Sequence, residues 1–355
     1  MRWESQLIDT DAASTLPGLS KIPGLVRTVT TPEFAGVTFH EVRARSALNH
    51  VPRAPANWRW SINPYRGCTH ACVYCFARPT HSYLELDTGI GFDREIVVKT
   101  NVVDVLRREL ARPTWERAHV ALGTNTDPYQ RAEGRYRLLP GILTALADSG
   151  TPFSILTKGT LLKRDLPLLG DLAKAVPVDV AVSLALTDLP LHEALEPGAP
   201  SPKARLALVT ACRDAGFAPS VLLAPVLPYL SDSVDHLDKT IGALAAAGAA
   251  RVMPLALNLK PYTREWFMAW LTASHPHLVV PYERLFDRGA YVSPAYRDWL
   301  HRRAAPILAR HGMAGAAMEP LMYGRGARRD DQPASTALPD VAADASGSAQ
   351  LSLLE

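Results

Sequence analysis

From residue 60 to about residue 260 the chain alternates short apolar runs with longer amphipathic stretches. Largely apolar runs at 60–63, 119–123, 153–157, 178–186, 219–224 and 251–257 have the length and character of buried strands. Between them, apolar residues recur at helical spacing over 102–111, 139–149, 163–174, 202–215 and 233–247. Strand and helix alternating in this way predict an α/β fold with a parallel sheet and right-handed crossovers. Six repeats fall short of an eightfold barrel, so the pattern predicts a partial, open (β/α)6 barrel. Helical stretches at 264–272, 282–287 and 294–311 follow the sixth strand, and they are expected to cover one end or the open side.

The flanks have a different texture. Residues 1–60 show little periodicity and carry Pro17, Pro23, Pro32, Pro52 and Pro55, which predicts an irregular N-terminal arm packed on the barrel through Trp58 and Trp60. From about residue 324 onward, Ala, Ser, Asp, Pro and Gly dominate. Such a composition buries too little apolar surface to order itself, and a disordered tail is expected. The resulting plan is an arm at 1–60, a partial barrel at 61–275, a helical cover at 276–323 and a tail at 324–355.

Composition adds limits. With 47% apolar residues in 355, the chain can bury a large core. No apolar run reaches the roughly 20 residues of a membrane span, and the first six residues, Met-Arg-Trp-Glu-Ser-Gln, have no apolar signal core. A soluble cytoplasmic protein is expected. The net charge of +3 hides an asymmetry: Asp330, Asp331, Asp340, Asp344 and Glu355 follow the last arginine, which leaves residues 1–329 at +8. A basic body suits a polyanion such as nucleic acid, although a charge of this size also suits an ordinary solvated surface.

The chemistry concentrates at 61–81. Three of the four cysteines, Cys68, Cys72 and Cys75, lie within eight positions there. In a reducing compartment such spacing points to metal or catalysis rather than to disulfides. Three thiolates on one loop can hold three corners of an iron–sulfur cluster and leave one iron open to an outside ligand. Zinc is the competitor, since His70 and His81 flank the loop, but zinc loops usually pair two close ligand pairs and no second pair exists here. Cys212 lies in a helical pattern and reads as a buried apolar residue.

Each later strand ends in polar residues. Thr124, Asn125, Thr126 and Asp127 follow the second, Lys158 follows the third, and Ser183 lies in the fourth. In a barrel these ends converge over one mouth, where a lysine can meet a carboxylate and hydroxyls can hold a ribose.

Cys-x3-Cys-x2-Cys with Tyr74 directly before the third cysteine resembles the motif of the radical S-adenosylmethionine enzymes. Within them the chain is most similar to the spore photoproduct lyase-like branch, in its uncharacterised actinobacterial-type members. The likeness rests on residues 63–78, on Gly-Thr-Asn-Thr-Asp-Pro-Tyr-Gln at 123–130, on Leu-Thr-Lys-Gly-Thr at 156–160 and on Val-Ser-Leu at 182–184. It implies a [4Fe–4S] cluster on Cys68, Cys72 and Cys75 with S-adenosylmethionine on the fourth iron. Reductive cleavage of that molecule would give a 5′-deoxyadenosyl radical that takes a hydrogen from substrate. The resemblance assigns Thr126, Lys158 and Ser183 to S-adenosylmethionine, with Thr124, Asn125, Asp127 and Tyr74 as the remaining cofactor-binding candidates.

The resemblance further implies a reducing partner such as a flavodoxin or ferredoxin, and a nucleic-acid substrate, as in DNA lesion repair. The alternatives are radical chemistry on a peptide or small metabolite, and a non-catalytic zinc-stabilised nucleic-acid or clamp-binding protein. One departure stands out. Spore photoproduct lyase has a hydrogen-donating cysteine beside its second-strand motif, and Gly123–Asp127 contains none. The terminal Gln350-Leu351-Ser352-Leu353-Leu354 resembles the short peptides with which bacterial proteins bind the replication sliding clamp.

Overall fold

Eleven strands form in the computed structural model, which describes residues 22–51 and 59–313. They are β1 (Leu25–Thr30), β2 (Thr38–Val42), β3 (Leu48–His50), β4 (Trp60–Ile62), β5 (Tyr65–Arg66), β6 (Glu95–Lys99), β7 (Val120–Leu122), β8 (Phe153–Thr157), β9 (Val178–Ser183), β10 (Ser220–Val226) and β11 (Arg251–Ala256). The stretch 324–355, with the clamp-like peptide Gln350–Leu354, lies outside the described residues, as does Trp58.

The larger sheet runs β11-β10-β9-β8-β7-β4-β3. From β4 to β11 every neighbouring pair is parallel, and β3 closes one edge antiparallel to β4. The six parallel strands are the six expected from the apolar runs. The sheet stays open, as in a partial (β/α)6 barrel. Helices at Val102–Leu110, Leu138–Asp148, Leu162–Leu172, Pro202–Asp214 and Val234–Ala247 pack side by side along it. Val120, Phe153, Ile155, Val182 and Val221 are fully buried beneath them, and burial of such side chains contributes about 1.5–3 kcal/mol each.

Local signals set the helix ends. The Ser201 and Ser233 hydroxyls accept the amides of Ala204 and His236 at the N-termini, and Gly248, at φ +90°, ends the helix Val234–Ala247. The last described helix, Pro294–Arg310, packs on Val234–Ala247 and on β11. It thus covers the edge at which the sheet stops.

Within the expected N-terminal arm, the described residues hold more regular structure than its composition suggests. β1 and β2 form a hairpin, β2 runs parallel to β6, and β5 joins β6 antiparallel, giving a second sheet of order β1-β2-β6-β5. The β2–β6 pairing spans more than fifty residues of chain, so no local pattern announces it.

This second sheet buries a cation. Lys99 is 8% exposed, and its Nζ has no hydrogen-bond partner among the described residues. Burial first, and then the nearby Arg66, push its pKa down to about 7. A base with a depressed folded-state pKa destabilises the fold fully below that pKa, and the penalty fades as pH rises toward the unfolded value near 10.5. Lys99→Met is therefore expected to raise stability by about 2 kcal/mol at pH 6. The gain should shrink steadily between pH 7 and 10.5, as read from urea unfolding at each pH; a gain independent of pH would contradict a buried charge.

Candidate active site

The cysteine loop starts at Gly67, whose φ of +81° and close backbone neighbour admit no side chain: a Cβ would stand 2.7 Å from the carbonyl oxygen of Glu95. Beyond it the loop is held from all sides. The Cys68 amide donates to the Phe92 carbonyl (3.0 Å) and the Cys75 amide to that of Cys72 (3.2 Å). Gln130, fully buried, donates to the Gly67 carbonyl (3.0 Å) and accepts from the Thr69 amide (2.9 Å). The Arg78 guanidinium, also fully buried, donates to the Cys72 and Gly89 carbonyls (3.0 and 2.6 Å) and pairs with Asp93 at 3.0 Å. The Thr263 hydroxyl donates to the Cys75 carbonyl (2.9 Å). Contacts from several separate segments thus brace the backbone of this loop.

All three loop cysteines are free thiols, and all three face one cavity of about 290 Å³. Cys68 and Cys72 are buried and Cys75 is half-buried. The cavity lies over the C-terminal ends of β7 to β11. Thr124, Asn125, Thr126, Asp127, Lys158, Ser183 and Tyr74 all line it, so the structure brings every sequence-predicted site residue to one place.

Their side chains are not equally available there. The Thr126 hydroxyl already donates to the Tyr65 carbonyl (2.9 Å). The Asp127 carboxylate accepts from the Thr157 hydroxyl (2.5 Å) and from the amides of Lys158 (2.6 Å) and Tyr129 (2.9 Å), with His70 Nδ1 at 3.4 Å. These two side chains shape the mouth. Lys158 Nζ donates to Ser183 Oγ (3.0 Å), lies 5.7 Å from the Tyr74 ring centre and stands 3.8 Å from Glu196. Burial opposes the charge on Lys158, yet the neighbouring Glu196 carboxylate favours it, and the ammonium is held above its ordinary pKa. It remains a cation.

His81 plays no part at the mouth: it is fully buried with Nε2 against the Glu95 carbonyl (2.9 Å) and its ring edge-on to Phe92. Cys212 is fully buried in the helix Pro202–Asp214, as its helical pattern predicts.

Sequence reasoning passed over four residues. Asn258 and Lys260 line the cavity just beyond β11, with Lys260 Nζ 5.0 Å from the Phe76 ring centre. Looking for polar residues at strand ends, the signal that found Lys158, also finds these two. Glu196 and Arg205 are fully buried and meet beside Tyr74 and Lys158. Their roles depend on partners far away in sequence, and nothing local marks them.

Among the described residues no three His, Cys, Asp or Glu side chains gather as a single metal ion requires. A cluster would use the three thiolates differently, each serving a different iron.

The family model described as the radical SAM superfamily matches residues 62–241, about half the chain. The chain belongs to the radical SAM superfamily. An uncharacterised protein of Mycobacterium tuberculosis is 57% identical over 320 residues, covering 89% of this chain and 94% of its own. An uncharacterised protein of Methanocaldococcus jannaschii is 25% identical over 192 residues, 54% of this chain and 69% of its own. Among solved structures, spore photoproduct lyase complexed with dinucleoside spore photoproduct superposes with a TM-score of 0.56 at 14% identity, covering 77% of this chain and 79% of that one. A variant of that lyase with bound S-adenosylmethionine gives 0.55 at 14%, covering 73% and 75%. The fold is therefore that of a radical SAM enzyme.

As a radical SAM enzyme, the chain works with a [4Fe–4S] cluster and S-adenosylmethionine, and it needs a reductant. Three free thiols on one rigid loop, facing one cavity beside a lysine cation, fit both cofactors. No helix among the described residues is long and apolar enough to cross a membrane.

Proposed function

We propose that this radical SAM enzyme uses Cys68, Cys72 and Cys75 to hold the cluster, and acts on a nucleic acid, in lesion repair or base modification. The observation that carries the site assignment is the cavity itself, which collects the three thiols and the strand-end polar groups. Lys158 and Ser183 would hold the S-adenosylmethionine carboxylate, and Thr124 and Asn125 its hydroxyl and amino groups. With both bound, and the cluster reduced by its external donor, the site would supply one electron for cleavage of the sulfonium C–S bond, giving methionine and a 5′-deoxyadenosyl radical able to take a substrate hydrogen.

The remaining cavity wall includes the apolar Leu222, Ala224, Pro225, Leu255, Ala256 and Leu257, together with Asn258, Lys260 and Tyr291. An apolar wall beside an amide and a cation suits a base and its phosphate. The basic body and the fold likeness to a lyase complexed with a dinucleoside lesion support the same reading. Cys212 is remote in the helical layer and no thiol other than the loop cysteines lines the cavity. Any hydrogen returned to a product radical therefore comes from a different group than in a lyase with a donor cysteine. The electron donor on this reading is a flavodoxin or ferredoxin.

The test is anaerobic reconstitution with iron and sulfide, followed by reduction with S-adenosylmethionine in the presence of intact or ultraviolet-irradiated oligonucleotide. A brown protein that forms 5′-deoxyadenosine, and forms it faster with the irradiated strand, is the expected result. A colourless zinc protein that forms none would sink the enzyme assignment, whereas acceleration only by a peptide or small metabolite would move the substrate.

A further inference from the structure

Glu196 is fully buried just past the helix Leu189–Leu195. One of its carboxylate oxygens accepts from the Tyr74 hydroxyl and stands 3.8 Å from Lys158 Nζ. The other receives the Arg205 guanidinium and lies 3.1 Å from His192 Nδ1. Arg205, itself fully buried, also donates to the Ser183 carbonyl (3.0 Å), and the Ser183 hydroxyl accepts from Lys158 (3.0 Å). The contacts close a ring: the cluster loop through Tyr74, the end of β8 through Lys158 and the end of β9 through Ser183 all meet around one carboxylate.

The backbone on either side of Glu196 lies along the same loop. The Val73 amide donates to the Leu195 carbonyl (2.9 Å), and the Gly198 amide donates to the His70 carbonyl (3.1 Å). A Cβ on Gly198 would stand 2.0 Å from the Thr69 carbonyl oxygen, so only glycine lets the two segments come this close.

Burying a lone carboxylate is costly, and burying it against cations is what makes it tolerable. Burial opposes ionisation of Glu196, but Arg205 and Lys158 hold its carboxyl well below the usual carboxylate range. Arg205 makes the direct ion pair. Lys158, at the longer distance, is oriented without being neutralised. Its remaining charge faces the cavity.

We propose that Glu196 is a positioning residue, which fixes the S-adenosylmethionine-binding ammonium of Lys158 against the cluster loop through Tyr74. This rests on the reading that Lys158 holds the cofactor carboxylate, and the test separates the two. The full chain is reconstituted with its cluster, and S-adenosylmethionine is titrated while the electron paramagnetic resonance spectrum of the reduced cluster is followed. Glu196→Gln should load iron as the parent does, yet require at least tenfold more S-adenosylmethionine for half-saturation. Lys158→Met should show a similar rise, and in that background Glu196→Gln should add less than twofold, because coupled sites are not additive.

Asp232 is a buried carboxylate bonded to the Tyr229 amide (3.0 Å) and the Tyr296 hydroxyl (2.7 Å), and it does not line the cavity. Asp232→Asn should lower the melting temperature and leave half-saturation unchanged. If Glu196→Gln fails to load, Glu196→Asp, which keeps the charge but draws it back by one methylene, replaces it with the same expectation. Unchanged half-saturation in the Glu196 variant, full additivity with Lys158→Met, or an equal rise in Asp232→Asn would each overturn the proposal. An unchanged value in Lys158→Met would instead overturn the ligand role of Lys158.

Discussion

Cys72→Ala will yield a folded chain that holds no stable cluster and forms no 5′-deoxyadenosine. The fold should survive because the bonds that shape the loop do not involve the sulfur. Arg78 and the Cys75 amide both reach the backbone carbonyl of Cys72 (3.0 and 3.2 Å), which alanine retains. The Cys72 thiol, by contrast, has only a 4.0 Å contact with the His70 carbonyl among its own hydrogen bonds. Burial pushes all three thiols up in pKa, so without iron they are neutral groups. Two cysteines cannot replace three as anchors of a cluster that already leaves one iron open. The measurement is the visible absorption and iron content after anaerobic reconstitution, with chromatography for 5′-deoxyadenosine. Cys212→Ala is the matched control: it removes a fully buried thiol from the helical layer and should load and cleave like the parent. A Cys72→Ala protein that stays brown and active would remove this loop from the chemistry.

What the sequence made legible was local. The apolar runs at 153–157 and 251–257 became β8 and β11 with ends within a residue of those expected, since a parallel strand buried on both faces needs only its own side chains to announce it. Lys158 and Ser183 were legible for a related reason, Lys158 being a polar residue just after such a run and Ser183 one within it. Glu196 was not, although it is no less buried than the core. It sits in Glu-Pro-Gly-Ala-Pro, which reads as a loop, and only contacts with Tyr74, 122 positions earlier, give it a role. Gln130 closed the 123–130 motif without an assigned task, because one must see both ends of its amide against Gly67 and Thr69 to know that it braces the cysteine loop. The β2–β6 pairing has the same character, being set by an encounter between distant segments.

Asp127→Ala should be the most damaging change at the mouth that spares every cysteine. Its carboxylate joins three segments: the turn after β7 through the Tyr129 amide, the end of β8 through the Thr157 hydroxyl and the Lys158 amide, and the cluster loop through His70. Hydrogen bonds to a charged acceptor contribute about 1.5–3 kcal/mol each. Leaving three donors unsatisfied at once should therefore cost at least about 4.5 kcal/mol. The loss will not be confined to stability. Gly123, at φ +87°, already presses against β8, since a Cβ there would stand 1.9 Å from the Leu156 carbonyl oxygen. With Asp127 gone, no other hydrogen bond among the described residues ties the Lys158 amide to the 124–127 turn, and the lysine should drift relative to Ser183. Urea unfolding of the cluster-free chain should show the stability loss. Titration of S-adenosylmethionine against the reduced, loaded chain should show at least a tenfold weaker half-saturation. Asp127→Asn keeps an acceptor oxygen for the Thr157 hydroxyl or the Lys158 amide but surrenders the charge, and it should fall between parent and alanine in both measurements. If Asp127→Ala unfolds like the parent and binds like the parent, the carboxylate does not organise this mouth, and the strand ends must be held by their backbone alone.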